Sequence, residues 1–227
     1  MVVSKFFWKI LGINLILLNI IVLIVFGGFI FEKKIHKDDF FLNDMINDTL
    51  YFKENGDIII GDKSANVTVY IYYDYTSSFC RKFSKKTYDK IKEEYVDNGK
   101  LKIVFKNYPK YHFKNASIEV AVAMKCIDMQ NESYDDYLDV LLKSKINNNK
   151  QVVSLLKDVY LDIDYVEFEK CINNEFIINS VEEDIIEAEN YGITVLPTIF
   201  IDDFKIEGIK PYGYIKDQID KKLFENK

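Results

Sequence analysis

The sequence predicts an α/β protein in which one β-sheet is interrupted by a block of helices, with a hydrophobic span ahead of it. Three observations carry that expectation. A strand–helix–strand pattern occupies residues 57–106. Helix-rich sequence then fills about 115–190, and a hairpin and a final helix close the chain. Residues 10–31 hold no charged side chain at all.

With the span set aside, the 227 residues leave one domain of ordinary size. A hydrophobic content of 48% is enough for a core and too high for a disordered chain. The formal net charge of -6 excludes a general nucleic-acid binder, which needs clustered Lys or Arg. Arg81 is the only arginine.

Residues 1–9 read as a cytoplasmic N-terminus, with Lys5 and Lys9 setting the orientation. Residues 10–31 cover roughly 30 Å as a helix, the depth of a bilayer core. A cleaved signal peptide is the alternative. The run exceeds the usual signal core, however, and Phe26-Gly27-Gly28 is a poor cleavage site, so an uncleaved anchor is expected. Residues 32–56 form a membrane-proximal segment, with an amphipathic helix over 38–52 or a stalk. The domain proper is 57–227.

Ile58–Ile60 is a short strand closed by Gly61-Asp62, and 67–75 (VTVYIYYDY) is a β-prone central strand. Over 79–95 the period changes. Phe79, Phe83, Thr87, Ile91 and Tyr95 recur every four residues, which predicts a helix with one buried face. Asn98-Gly99 turns the chain into a strand over 101–106, parallel to the first by the right-handed crossover rule. Residues 117–129 are apolar all round and read as a buried helix, followed by amphipathic helices over 134–142 and 152–160. Asp164 to Glu167 is a capping box opening a helix through Cys171, and Ser180 to Glu183 a second one opening a helix that ends at Gly192. TIFIDDFKIEG is a hairpin turning at Asp202-Asp203. Pro211 suits the first position of the last helix, whose apolar face is Tyr212, Ile215, Ile219 and Leu223.

Three separated stretches, GDKSANVTVYIYYDYTSSFC, NASIEVAVAMKC and GITVLPTIFIDDFKIEGIKPY, resemble the DsbA-like thiol-disulfide oxidoreductases, particularly the membrane-tethered bacterial kind. The resemblance implies a thioredoxin-like fold with an inserted helical subdomain over about 115–190. It also implies a Cys-x-x-Cys motif at the strand–helix junction. The matching residues are Ser77, Ser78, Phe79 and Cys80, so serine stands where the family has its attacking cysteine. Serine forms no disulfide, and its hydroxyl is too weakly acidic to attack unaided. Pro197 matches the family's cis-proline, and Ser78, Phe79 and Leu196 would flank the substrate groove. Two further departures are Ile71, where the family often has an acid, and Leu196 before the proline, where it usually has Thr or Val.

Cys126 and Cys171 lie in the helical block. They read either as two small buried apolar side chains or as a structural disulfide of the kind some relatives carry. Such a bridge is nominally worth about 4 kcal/mol. His36 and His112 have no metal-ligand spacing, so neither a metal nor a cofactor is expected. A serine hydrolase at Ser77 lacks a G-x-S-x-G turn. Tyr72, Tyr73 and Tyr75 read as core and groove lining. Lys82, Lys85 and Lys86 read as a solvated helix face, with steering of an acidic partner as the alternative.

The resemblance implies unfolded or secreted polypeptides and a membrane redox partner as partners. It places the protein in the bacterial cytoplasmic membrane, with its domain facing the periplasm or outside. Three functions compete: an oxidoreductase homologue with dithiol activity lost or altered, a non-redox peptide-binding or chaperone-like module, and a Cys-to-Ser variant of an active disulfide oxidoreductase. A reporter enzyme fused after Phe224 is expected to be active outside the cytoplasm and to fractionate with membranes; release of a shortened soluble form would instead show a cleaved signal.

Overall fold

The structure, a computed structural model, describes residues 56–109, 115–130, 135–158 and 163–226. The span expected over 10–31 and the helix expected over 38–52 lie outside the described residues. Among those described, no helix is long and apolar enough to cross a membrane. The chain divides into units Met1–Phe52 and Lys53–Lys227, and the second contains the sheet.

Five strands form one sheet: β1 (Ile58–Ile60), β2 (Val67–Tyr73), β3 (Leu101–Asn107), β4 (Thr198–Ile201) and β5 (Phe204–Glu207), in the order β1-β3-β2-β4-β5. As predicted, β2 is central. It runs parallel to β3, with Val67 opposite Leu101, and antiparallel to β4, with Tyr72 opposite Thr198. The chain thus leaves the sheet after β3 and returns at β4. Six helices alternate with or follow the strands up to that return: α1 (78–96), α2 (Asn115–Asp128), α3 (Asp135–Lys143), α4 (Asn149–Asp158), α5 (Tyr165–Ile172) and α6 (Glu175–Asn190). Helix α7 (Tyr212–Glu225) ends the fold, with Pro211 at its N-cap rather than its first turn.

Helix α1 shows why its four-residue repeat works. In a 3.6-residue helix, side chains four apart drift by about 40° per step. Wider π turns over Ser84–Tyr88 and Lys92–Val96 absorb the drift. Phe83, Thr87, Ile91 and Tyr95 all stay buried. Phe79, expected on that face, is instead 63% exposed, in the first turn of the helix beyond the end of the central strand.

The helix predicted to open at Ser180 opens earlier. Asn174 caps it, its side chain accepting from Phe176 N at 2.9 Å, and Ser180 lies inside, donating to the Ile177 carbonyl at 2.8 Å. Ile177, Val181, Asp184 and Ala188 form one buried face, so the amphipathic pattern starts a turn and a half ahead of the apparent capping box. Asp164 does cap α5, its carboxylate accepting from Val166 N and Glu167 N at 2.8 and 3.1 Å, but the box is not closed by Glu167: the Asp164 N–H donates to Gln130 Oε1 at 2.9 Å instead. Cys126 of α2 and Cys171 of α5 form a disulfide with a Cα–Cα distance of 5.7 Å, which decides between the two readings of those cysteines.

Helices α1 and α7 cover one face of the sheet, where Phe105 meets the rings of Tyr73 and Tyr88. The other face carries a buried ionic cluster. Lys106 of β3 lies 2.7 Å from Asp57 and 3.4 Å from both Asp184 and Glu187. Lys125 of α2 lies 3.0 Å from Asp57 and 3.3 Å from Asp184. Asn107 donates its backbone and side-chain N–H to Asp184, and the Tyr72 hydroxyl donates to Glu187.

Three carboxylates face two ammonium groups here, so the cluster favours one retained proton. Burial, followed by the charge of Asp184, pushes Asp57 up to about 7 against the pull of the two lysines. The folded chain then holds, from about pH 4 to 7, a proton that an unfolded Asp releases near 3.9. This contribution is complete below the unfolded value and is lost as pH rises through the folded one. Urea midpoints measured from pH 5 to 8 are therefore expected to fall by an amount equivalent to roughly 2–3 kcal/mol, and Asp57→Asn to flatten that slope.

Candidate functional site at the strand ends

The site is built where β2 ends. From Tyr73 the chain passes through Asp74 to Ser77 and into α1. Asp74 is buried and organises this turn. Its Oδ1 accepts from Thr76 N and Oγ1 at 2.8 and 2.7 Å, and its carbonyl accepts from Ser77 N at 2.9 Å. The Thr76 hydroxyl lies 2.9 Å from that of Ser117 on α2, and the Thr76 carbonyl accepts from Arg81 Nη1 at 2.8 Å. The turn itself, Arg81 of α1 and Ser117 of α2 thus fix the approach to the helix without any sulfur.

Ser77 is the N-cap of α1, in extended backbone, and its Oγ accepts from Cys80 N at a long 3.4 Å. Serine is among the best N-cap residues because its oxygen reaches an otherwise unpaired helical N–H. The position that the sequence resemblance matches to an attacking cysteine is occupied by a residue suited to holding the turn. Ser78 and Phe79 are exposed, and Cys80 is wholly buried. Burial pushes the Cys80 thiol up to about 12, although the Asp74 backbone N–H and the Ser77 hydroxyl both favour the thiolate. Behind it, the Tyr73 hydroxyl lies 3.0 Å from Ser84 Oγ and donates to the Leu142 carbonyl of α3 at 3.1 Å.

The second half of the site is the loop before β4. Because Thr198 pairs with Tyr72, the cis Leu196–Pro197 bond falls at the same end of the sheet as the Asp74–Ser77 turn. The Pro197 carbonyl accepts from Gly208 N at 2.8 Å, and Thr198 Oγ1 donates to the Val195 carbonyl at 2.6 Å. Gly208 has φ +70°, and a Cβ there would meet Val195 Cγ1 at 3.3 Å. Leu196 turns inward at 8% exposure, whereas Val195 stands out at 44%. The side chain bordering the surface is therefore Val195 rather than Leu196, which the resemblance placed beside the groove. Ile71 is buried in the sheet between Phe105 and Ile199, an apolar ladder with no place for a charge.

Asp74 and Val195 are residues the sequence pattern does not single out. An Asp two residues ahead of Thr is a turn signal that was available for Asp74. Nothing local marked Val195. A cleft of about 640 Å³ lies at the opposite end of the sheet, lined by Asn66, Lys100, Lys216 and Asp220 among others. There Lys216 is held by Glu94 and Asp220, and the Tyr95 hydroxyl donates to Asp220 at 2.6 Å. No group of metal-ligating side chains occurs among the described residues.

These features define a thioredoxin-fold protein with helices inserted between the halves of its sheet. A thioredoxin family model matches residues 53–221. The chain belongs to the thioredoxin family, in its DsbA-like thiol-disulfide oxidoreductase branch. It is 25% identical over 173 residues to disulfide bond formation protein D of Bacillus subtilis, covering 74% of this chain and 78% of that one. Two solved structures share the fold. Oxidised BdbD from Bacillus subtilis has a TM-score of 0.67 at 24% identity, over 78% of this chain and 97% of that one. Wolbachia pipientis alpha-DsbA1 has a TM-score of 0.65 at 24% identity, over 78% and 96%.

A thiol raised to about 12 and shut off from solvent holds very little thiolate at pH 8. Native protein treated with iodoacetamide at pH 8 is expected to leave Cys80 unmodified, and protein unfolded in urea to be labelled within minutes. Native labelling at the rate of a free thiol would show the site to be open.

Proposed function

We propose that this chain is a membrane-anchored DsbA-like homologue of the bacterial envelope that holds extended polypeptide at its cis-proline loop and lacks dithiol exchange. One observation carries this reading: all three cysteines are accounted for without a reactive pair. Cys126 and Cys171 are joined to each other, and Cys80 is buried behind Ser77. Exchange needs a thiolate to attack and a second thiol to release the mixed disulfide. Ser77 supplies neither.

The groove is what remains. Phe79 and Val195 expose apolar surface beside the Ser77 turn and the Pro197 loop, as a site for unfolded segments requires. The apolar run over 10–31 supports the anchor. The Cys126–Cys171 bond supports an oxidising compartment outside the cytoplasm. The Bacillus subtilis relative's name speaks of disulfide bond formation, and the lineage of this chain follows it.

The test compares the purified protein with Ser77→Cys in insulin reduction and in oxidation of a dithiol peptide. The natural chain is expected to show no multiple turnover. Ser77→Cys places a thiol at a helix N-terminus, where it is partly ionised, and should raise turnover at least about tenfold over that background. Multiple turnover by the unaltered chain, abolished by Cys80→Ala, would overturn the proposal.

A further inference from the structure

Helix α1 carries a second pattern outside its buried face. Phe79 is followed by Lys82, Lys85, Lys86 and Lys90, all exposed. Lys82, Lys86 and Lys90 are four residues apart, each one position ahead of a buried Phe83, Thr87 or Ile91. The π turns that hold the buried residues in register hold these lysines in line as well. Phe79 precedes Lys82 by three and shares its side of the helix. The line ends at Glu94, whose carboxylate is taken by Lys216 and the Tyr212 hydroxyl of α7.

The lysines nearest the site are free of partners. Among the described residues, Lys82, Lys85 and Lys86 make no ion pair or hydrogen bond, while Lys90 stands over the Tyr212 ring at 5.5 Å. Elsewhere among the described residues most lysines are paired, as Lys143 is with Asp89 at 2.8 Å and Lys222 with Asp203 at 2.6 Å. Positive charge thus collects on one line that begins at the exposed aromatic of the groove. Successive lysines are about 6 Å apart along the axis, close to the roughly 6.6 Å between alternate residues of an extended chain.

We infer that this line extends the groove and selects polypeptide segments in which an apolar residue is followed by acidic ones. The apolar residue rests on Phe79 and Val195, and alternate carboxylates lie over Lys82 and Lys86. This rests on the polypeptide-binding reading above. The contacts are exposed and screened by salt, so they set preference among segments more than total affinity.

The test uses the purified full chain and fluorescence anisotropy with three labelled peptides. All share one apolar core, followed by aspartates, asparagines or lysines. The aspartate peptide is expected to bind about three- to tenfold more tightly than the asparagine peptide at low salt, an advantage lost near 0.5 M salt. The double variant Lys82→Glu/Lys86→Glu, checked by its circular dichroism melt, is expected to reverse the order in favour of the lysine peptide. Equal affinity for all three peptides would overturn this inference and leave the binding reading standing. Binding of none would overturn the binding reading and this inference with it. An order unchanged in the double variant would also overturn it, as would Lys82- and Lys86-dependent capture on phosphatidylglycerol vesicles without any peptide preference.

Discussion

The fold is organised around Lys106, an ammonium group in the middle strand region with almost no contact with water. A charge so placed is costly unless it is surrounded by opposite charge and hydrogen-bond partners. Those partners come from far apart in the chain: Asp57 before β1, and Asp184 and Glu187 on α6, with Lys125 of α2 drawn in by the same Asp57 and Asp184. Satisfying one side chain therefore locks the inserted helices against the sheet. Helix α6 leads directly into the cis-proline loop, and Lys205 of β5 bonds the carbonyls of Tyr191 and Gly192 at its end. The position of Pro197 follows from how that helix is held.

The turn at the other side of the site depends on a different principle. Its geometry comes from short polar bonds around Asp74 and Thr76 and from a helix cap. The bonds around Asp74 and Thr76 use no atom of the Ser77 side chain, and only the cap, a long 3.4 Å contact from Cys80 N to Ser77 Oγ, involves the atom that distinguishes serine from cysteine. The shape of the loop and its chemistry are thus separable: a chain can keep the turn, the cis bond and the apolar rim while having no pair of sulfurs. Cys80 then behaves as a small buried apolar side chain at the head of α1, beside Phe83 in the same core.

Helix α1 links the two. Its buried side anchors on Phe105 and Tyr73, and its exposed side runs from Phe79 into a line of lysines. Both sides keep their alignment because π turns bring the average turn close to four residues. The same adjustment that packs the core also sets out the surface charges at even intervals.

Much of the fold and part of the site were legible in the sequence, for local reasons. Apolar runs marked β2, β3 and β4, because a strand between two layers must be apolar on both sides, whereas the edge strand β5 was marked by the hairpin turn before it. The Asp164 cap and the Gly192 stop were visible because capping is settled by a few adjacent residues. Ser77, Cys80 and Pro197 were marked by the family resemblance of the stretches that hold them. What tertiary structure decided involves residues distant in sequence. The start of α6 at Asn174 depends on which face packs, so the false box at Ser180 misled. Phe79 fits the buried period but lies beyond the end of β2, where it is exposed. The pairing of Cys126 with Cys171, the outward turn of Val195 and inward turn of Leu196, and the gathering of Asp57, Lys106, Lys125, Asp184 and Glu187 all require the elements to be in place. A sequence lists those charges as ordinary surface residues; only when the sheet and helices close does water leave, and their interaction becomes strong enough to fix the architecture.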